Sequence, residues 1–146
     1  MAYGTYSYGA VAFGASGSVV SLPTIGRPAS DTSAGSWVPS TGGTLFPMLD
    51  EVSPSDTDYI SVASASTCEM VLDETVYPSG ATQILSYRAS SVNSSTLTVT
   101  LKQGATTIMT RTHSLTPTIT LYTQTLSAGE IATIIAGAIS VTLTSS

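Results

Sequence analysis

Few residues of this chain could carry chemistry. His113 is the one histidine, so any imidazole base must be built on it. It follows Arg111 and Thr112 on a segment that reads as a strand, and no Gly-x-Ser-x-Gly elbow accompanies it. With 24 Ser and 24 Thr in 146 residues, a hydroxyl close to His113 carries no information, and the expectation is a histidine on a sheet face or surface. Cys68, the one cysteine, alternates with Met70 and Leu72. That spacing places it on the core face of a strand, as a buried thiol rather than a nucleophile. A single cysteine also excludes an internal disulfide and a cysteine-rich zinc site.

Acids gather in one place: Asp50, Glu51, Asp56 and Asp58 are four of the nine. A calcium site needs several oxygens converging at about 2.3–2.6 Å, but this segment lacks the Asp-x-Asp-x-Asp-Gly rhythm of an EF-hand loop. Pro54-Ser55-Asp56 reads instead as turn chemistry. A glycosidase would need two carboxylates across a cleft, and no such pair can be assigned. No catalytic residue, metal ligand or cofactor is therefore expected, and the chain is read as no enzyme. Trp37 invites a different chemistry, since sugars stack on aromatic faces, and Tyr59, Tyr77, Tyr87 and Tyr122 could join it. Beside Pro39 and Gly42-Gly43, Trp37 equally suits a plug over the end of a core. Asn93-Ser94-Ser95 matches a glycosylation sequon but reads as a hairpin turn.

The elements that must position these residues follow from composition and periodicity. Charged residues are only 9%, against about a quarter in an ordinary protein. Lys and Glu together number five (Lys102, Glu51, Glu69, Glu74 and Glu130), too few to surface long helices. Thr, Val, Ile and Tyr suit a half-buried pleated surface. Short strands are predicted at 59–63, 67–72, 83–88, 96–102, 106–113, 118–123 and 139–144. The clearest is 96–102, where Leu97, Val99 and Leu101 share one side and Thr96, Thr98, Thr100 and Lys102 the other. Seven such strands predict an all-β fold, a two-sheet antiparallel β-sandwich. Ser127-Ala128-Gly129-Glu130 is a capping box, and Ile131, Ile134 and Ile135 follow at helical spacing before Gly137. One short helix near 128–136 is therefore expected between the last two strands.

Residues 1–36 form a Gly/Tyr/Ser-rich segment with only Arg27 and Asp31 charged, and the β-sandwich domain is expected over 37–146. The segment is either a terminus or meander of the domain, or an extended arm lying on a neighbouring subunit. The arm is preferred because Tyr6, Tyr8, Val11 and Phe13 are too apolar for a solvated tail, and these four are the candidate subunit or capsid interface. Deleting residues 2–22 is accordingly expected to leave the sandwich folded. The net charge of −5 and four basic residues (Arg27, Arg88, Lys102 and Arg111) argue against nucleic acid. No apolar run reaches the roughly 18 residues of a membrane span, and no signal peptide is read at the start. With one cysteine, this suggests a reducing cytosol or release by lysis.

From Trp37 to Leu143 the chain resembles a small β-sandwich found among tailed-bacteriophage virion proteins. The likeness rests on Trp37-Val38-Pro39-Ser40-Thr41-Gly42, Leu49-Asp50-Glu51 and Asp56-Thr57-Asp58-Tyr59-Ile60. It continues through Leu85-Ser86-Tyr87-Arg88, Leu97-Thr98-Val99 and Tyr122-Thr123-Gln124-Thr125-Leu126-Ser127. The resemblance implies a jelly-roll-like sandwich serving capsid decoration (cement), head fibres or tail appendages, with no catalytic set. The expected function is a virion decoration protein, assembled in the host cytoplasm, that stabilises the major capsid protein shell as a homotrimer. The alternative is a carbohydrate- or receptor-binding sandwich on a head fibre or tail appendage, with Trp37 as its platform.

Overall fold

The computed structural model describes residues 26–50, 55–73, 82–93 and 95–146, together with the backbone of residues 2–8. Ten strands are present among them: β1 (Ala2–Tyr8), β2 (Pro28–Ser33), β3 (Val38–Pro39), β4 (Ile60–Ser61), β5 (Ser66–Leu72), β6 (Gln83–Ala89), β7 (Thr96–Gln103), β8 (Thr106–Ser114), β9 (Thr120–Thr125) and β10 (Ser140–Ser145). A 3-10 turn spans Phe46–Met48 and one helix, α1, spans Ala128–Ala132. The strands form two five-stranded sheets, ordered β3-β4-β1-β6-β9 and β2-β5-β10-β7-β8. Each described pairing is antiparallel. The fold is all-β.

Alternation drives these strands. In β7, Leu97, Val99 and Leu101 are buried while the threonines between them are half-buried. In β6 the buried positions are Gln83, Leu85, Tyr87 and Ala89, and in β5 they are Cys68, Met70 and Leu72. Both sheets feed one core cluster, in which Leu85 and Tyr87 from the first join Met70, Val99 and Leu143 from the second. Trp37, Leu45, Leu49 and Leu126 close it from the connections. Each such side chain contributes roughly 1.5–3 kcal/mol on full burial.

Several expectations change. The segment set apart as an arm supplies strands to its own chain. Residues 2–8 pair with β6 from Ala2↔Ala89 to Tyr8↔Gln83, and Ala2 also pairs with Ile60 of β4. Pro28–Ser33 pairs with β5, and the Asp31 carboxylate accepts from the N–H groups of Leu45 (2.6 Å) and Phe46 (2.8 Å). Arg27 and Asp73 exchange two further bonds of 2.7 Å, one through the Asp73 side chain and one between backbones. Each sheet therefore includes one described strand from before position 36, β1 in the first and β2 in the second. Residues 91–95 carry the chain from β6 in one sheet to β7 in the other, so they form a crossover rather than a hairpin turn. The Ser91 hydroxyl organises it, accepting from the N–H groups of Asn93 and Ser95 and from the Ser95 hydroxyl.

Helix α1 has the expected capping box: Glu130 N–H donates to the Ser127 hydroxyl (3.2 Å) and Ser127 N–H to the Glu130 carboxylate (2.7 Å). It stops at Ala132, four residues short of the expected end. Gln103 provides the reason, because its side-chain amide takes the N–H and carbonyl of Ile135 (2.9 and 2.7 Å) and the carbonyl of Gly137 (3.0 Å). Ile131 and Ile134 pack on the core, while Ile135 stays 69% exposed.

Candidate functional site

Three regions offer something beyond packing. The first is a polar seam where the edge strands β8 and β9 face each other across the two sheets. Met109, Arg111 and His113 pair opposite the buried Leu101, Val99 and Leu97, and so share their face. Thr120, Tyr122 and Gln124 likewise pair opposite Ala89, Tyr87 and Leu85. His113 lies against Tyr122, with ring centroids 4.2 Å apart and planes tilted by 38°. Tyr87 stacks on Tyr122 at 5.5 Å and meets His113 edge-on at 5.7 Å. Burial first, and the Arg111 charge second, hold His113 below its ordinary value. Burial also pushes the Tyr87 hydroxyl upward, followed by Tyr122. Among the described residues neither Tyr87 Oη nor His113 Nε2 has a hydrogen-bond partner.

Beside this trio Arg111 Nη2 reaches both Glu130 oxygens, at 2.9 and 3.1 Å. Burial pulls the Glu130 carboxyl upward, but the Ser127 backbone N–H and hydroxyl, with Arg111, outweigh it and the net shift is downward. The ion pair fastens α1 to the edge of β8. This arrangement packs an imidazole against two mutually stacked phenol rings. It joins no carboxylate or hydroxyl nucleophile to His113 at a bonding distance among the described residues. Tyr87 and Tyr122 were singled out as sugar-stacking candidates, yet they serve the seam. His113 was expected on a sheet face; it takes the inner one.

The second region is a cleft of about 640 Å³ at one end of the sheets. It opens between the β4–β5 connection and the β6–β7 crossover, beside Leu115 and the last residues of β10. Among the described residues seven of its lining side chains are serines, and no Asp, Glu, Lys, Arg or His contributes. Trp37, Tyr59 and Leu97 form its apolar side, and Val92, 83% exposed, stands on its rim. Trp37 itself is only 6% exposed and its Nε1–H donates to the Ser66 carbonyl at 3.4 Å. The indole is thus a core plug, and its ring offers no open platform for a sugar.

The third region is the outer face of the second sheet. The register aligns Thr67, Thr144, Thr98 and Thr112 in one row across β5, β10, β7 and β8, and Glu69, Thr142, Thr100 and Thr110 in the next. Hydroxyls bond along these rows: Thr67 with Thr144 (2.9 Å), Thr98 with Thr112 (2.9 Å) and Thr100 with Thr110 (3.3 Å). Thr96 and Ser146 pair similarly. Alternation in the sequence points to hydroxyls on one face of β7, but only the register reveals rows spanning four strands.

The remaining candidates separate. Cys68 is fully buried, and burial pushes its thiol up to about 12. Of the acidic cluster, Asp56 pairs with Arg88 at 2.7 Å, and Glu51 lies outside the described residues. No group of three or more His, Cys, Asp and Glu gathers as metal ligands among the described residues. Tyr6 and Tyr8 pair through their backbones with Leu85 and Gln83, while Val11 and Phe13 lie outside the described residues. Comparison with models of protein families, with curated proteins and with solved structures found no match to this chain.

Proposed function

We propose that this chain is a structural protein of a tailed-bacteriophage particle, a decoration protein that stabilises the major capsid shell as a homotrimer. In this reading its two sheets stack as a jelly-roll sandwich. The observation that carries the reading is strand order. In a jelly roll of eight strands, the first, eighth, third and sixth share one sheet and the second, seventh, fourth and fifth the other. Counted from β4, the order β4-β1-β6-β9 and β5-β10-β7-β8 follows this plan through β10, and β1 takes the place of the eighth strand. Further support comes from the groups best suited to chemistry, which are used in packing: the His113 ring against Tyr87 and Tyr122 and the Cys68 thiol inside the core. A neutral, hydroxyl-covered sheet suits attachment to a broad protein shell at any ionic strength. The test is to mix purified protein with expanded empty capsids of its phage. Saturable binding that raises the capsids' resistance to heat supports the reading, and capsids left bare and unchanged refute it.

A second reading, recognition of a saccharide or receptor on a head fibre or tail appendage, loses Trp37 as its platform. It is favoured instead by the serine-lined cleft, whose lining suits an uncharged polyhydroxyl ligand. Ala63, exposed on the cleft wall, provides the check: binding of neutral oligosaccharides that Ala63→Trp abolishes would support this reading.

A further inference from the structure

The slot between β4 and β6 is filled by a strand from the far end of the chain. β1 fills it with seven residues paired to β6, but it meets β4 only at Ala2↔Ile60. Without β1 the first sheet would divide into β3-β4 and β6-β9, leaving one edge of β6 open, with the N–H and C=O groups of alternate residues unpaired. Such an open slot accepts an added strand through main-chain bonds, whichever chain supplies it. The next strand, β2, belongs to the other sheet and begins at Pro28, so nineteen residues, 9–27, separate the two strands. A turn within one sheet needs about two to five. Fully extended, nineteen residues reach up to roughly 65 Å, whereas a compact domain of this length has a radius of gyration of about 15 Å. The first charged residue is Arg27, so no ion pair anchors residues 2–8 to one particular copy.

We propose that β1 is an exchanged strand: in the assembled oligomer, residues 2–8 of one copy fill the slot between β4 and β6 of a neighbouring copy. The same backbone bonds form in either arrangement, so exchange costs little pairing energy. Local concentration then decides which slot is filled, because a tethered strand competes at an effective concentration in the millimolar range. Neighbours held side by side supply a comparable concentration. This inference rests on the oligomer of the proposed function, and not on a capsid as partner.

The test uses the full chain carrying Thr5→Cys and Ser86→Cys, positions that face each other in the β1–β6 register. Opposed residues of antiparallel strands stand about 4.5–5.5 Å apart, within disulfide reach. Cys68 is fully buried and stays out of the exchange. After mild oxidation, peptide mapping distinguishes a 5–86 bond within one chain from one between chains. The expected result is covalent oligomers joined 5–86, with an interchain share at about 1 mM at least tenfold that at about 10 μM. Bonds confined to single chains at every concentration would overturn exchange, and no 5–86 bond at all would overturn the slot assignment. Should the double variant fail to fold, T5C and S86C single variants, one labelled with 15N, report the same bond as a heavy–light pair. Capsid binding is scored separately, so loss of either result leaves the other readable.

Discussion

At the scale of single residues, His113 sets how the fold responds to acid. Its folded value lies below the ordinary 6.5, so on acidification the unfolded chain takes up its proton first. Stability from this group is complete above about pH 6.5 and falls as the pH drops from there toward the folded value. Glu130, with a net downward shift from 4.5, contributes stability above its ordinary value that is lost as the pH falls through its folded one. Thermal melts across pH 7 to 3 are therefore expected to show two successive losses. His113→Phe should remove the first and leave the second, since a phenyl ring keeps the contact with Tyr122 without a proton to gain. An unchanged first loss in His113→Phe would place its origin elsewhere. Ser127→Ala removes one half of the capping box and is expected to cost about 1 kcal/mol, measured by denaturant unfolding. The box was legible in the sequence because Ser-x-x-Glu is a local signal. The aromatic trio was not, because Tyr87, His113 and Tyr122 come from three strands that only long-range register brings together.

Among elements, the decisive constraint is how closely the chain following β2 approaches β5. Gly35 has φ 55°, and a Cβ there would lie 2.2 Å from the Thr67 carbonyl oxygen. Because that oxygen belongs to the backbone, neither partner can turn aside. Gly35→Ala is expected to destabilise the protein by more than about 1 kcal/mol, whereas the same change at Gly42, which has open space around it, suffers only its positive φ. Equilibrium unfolding of the two variants makes the comparison. Deleting residues 2–8 should abolish the cooperative melt, since it removes the strand between β4 and β6. A truncated chain that melts like the full one would contradict that pairing. Strands β7 and β10 were legible because each alternates apolar and hydroxyl residues, and β5 and β6 because every second residue suits a buried face. β1 was not, because Tyr3-Gly4-Thr5-Tyr6-Ser7-Tyr8 reads as low-complexity sequence and its partner β6 lies about eighty positions away. β2 was hidden by two register shifts against β5, which break its alternation. The 91–95 crossover carries the Asn and Ser of an ordinary turn, and nothing local distinguishes a change of sheet from a hairpin.

For the whole molecule, low charge and an all-β architecture go together. A chain with few charges covers its second sheet with rows of threonine and places β1, far from its partners in sequence, at the centre of its first sheet. In the proposed decoration role, the threonine rows would be available for contact with the shell. The serine-lined cleft remains open at one end, where an attached protein could still present it to solvent. Reconstruction of the intact particle by electron cryomicroscopy tests the decoration role most directly. The expected result is density fitting this ten-stranded fold in groups of three on the outer capsid lattice. Particles whose shell carries no such density, or that hold the chain only in the tail, would contradict it.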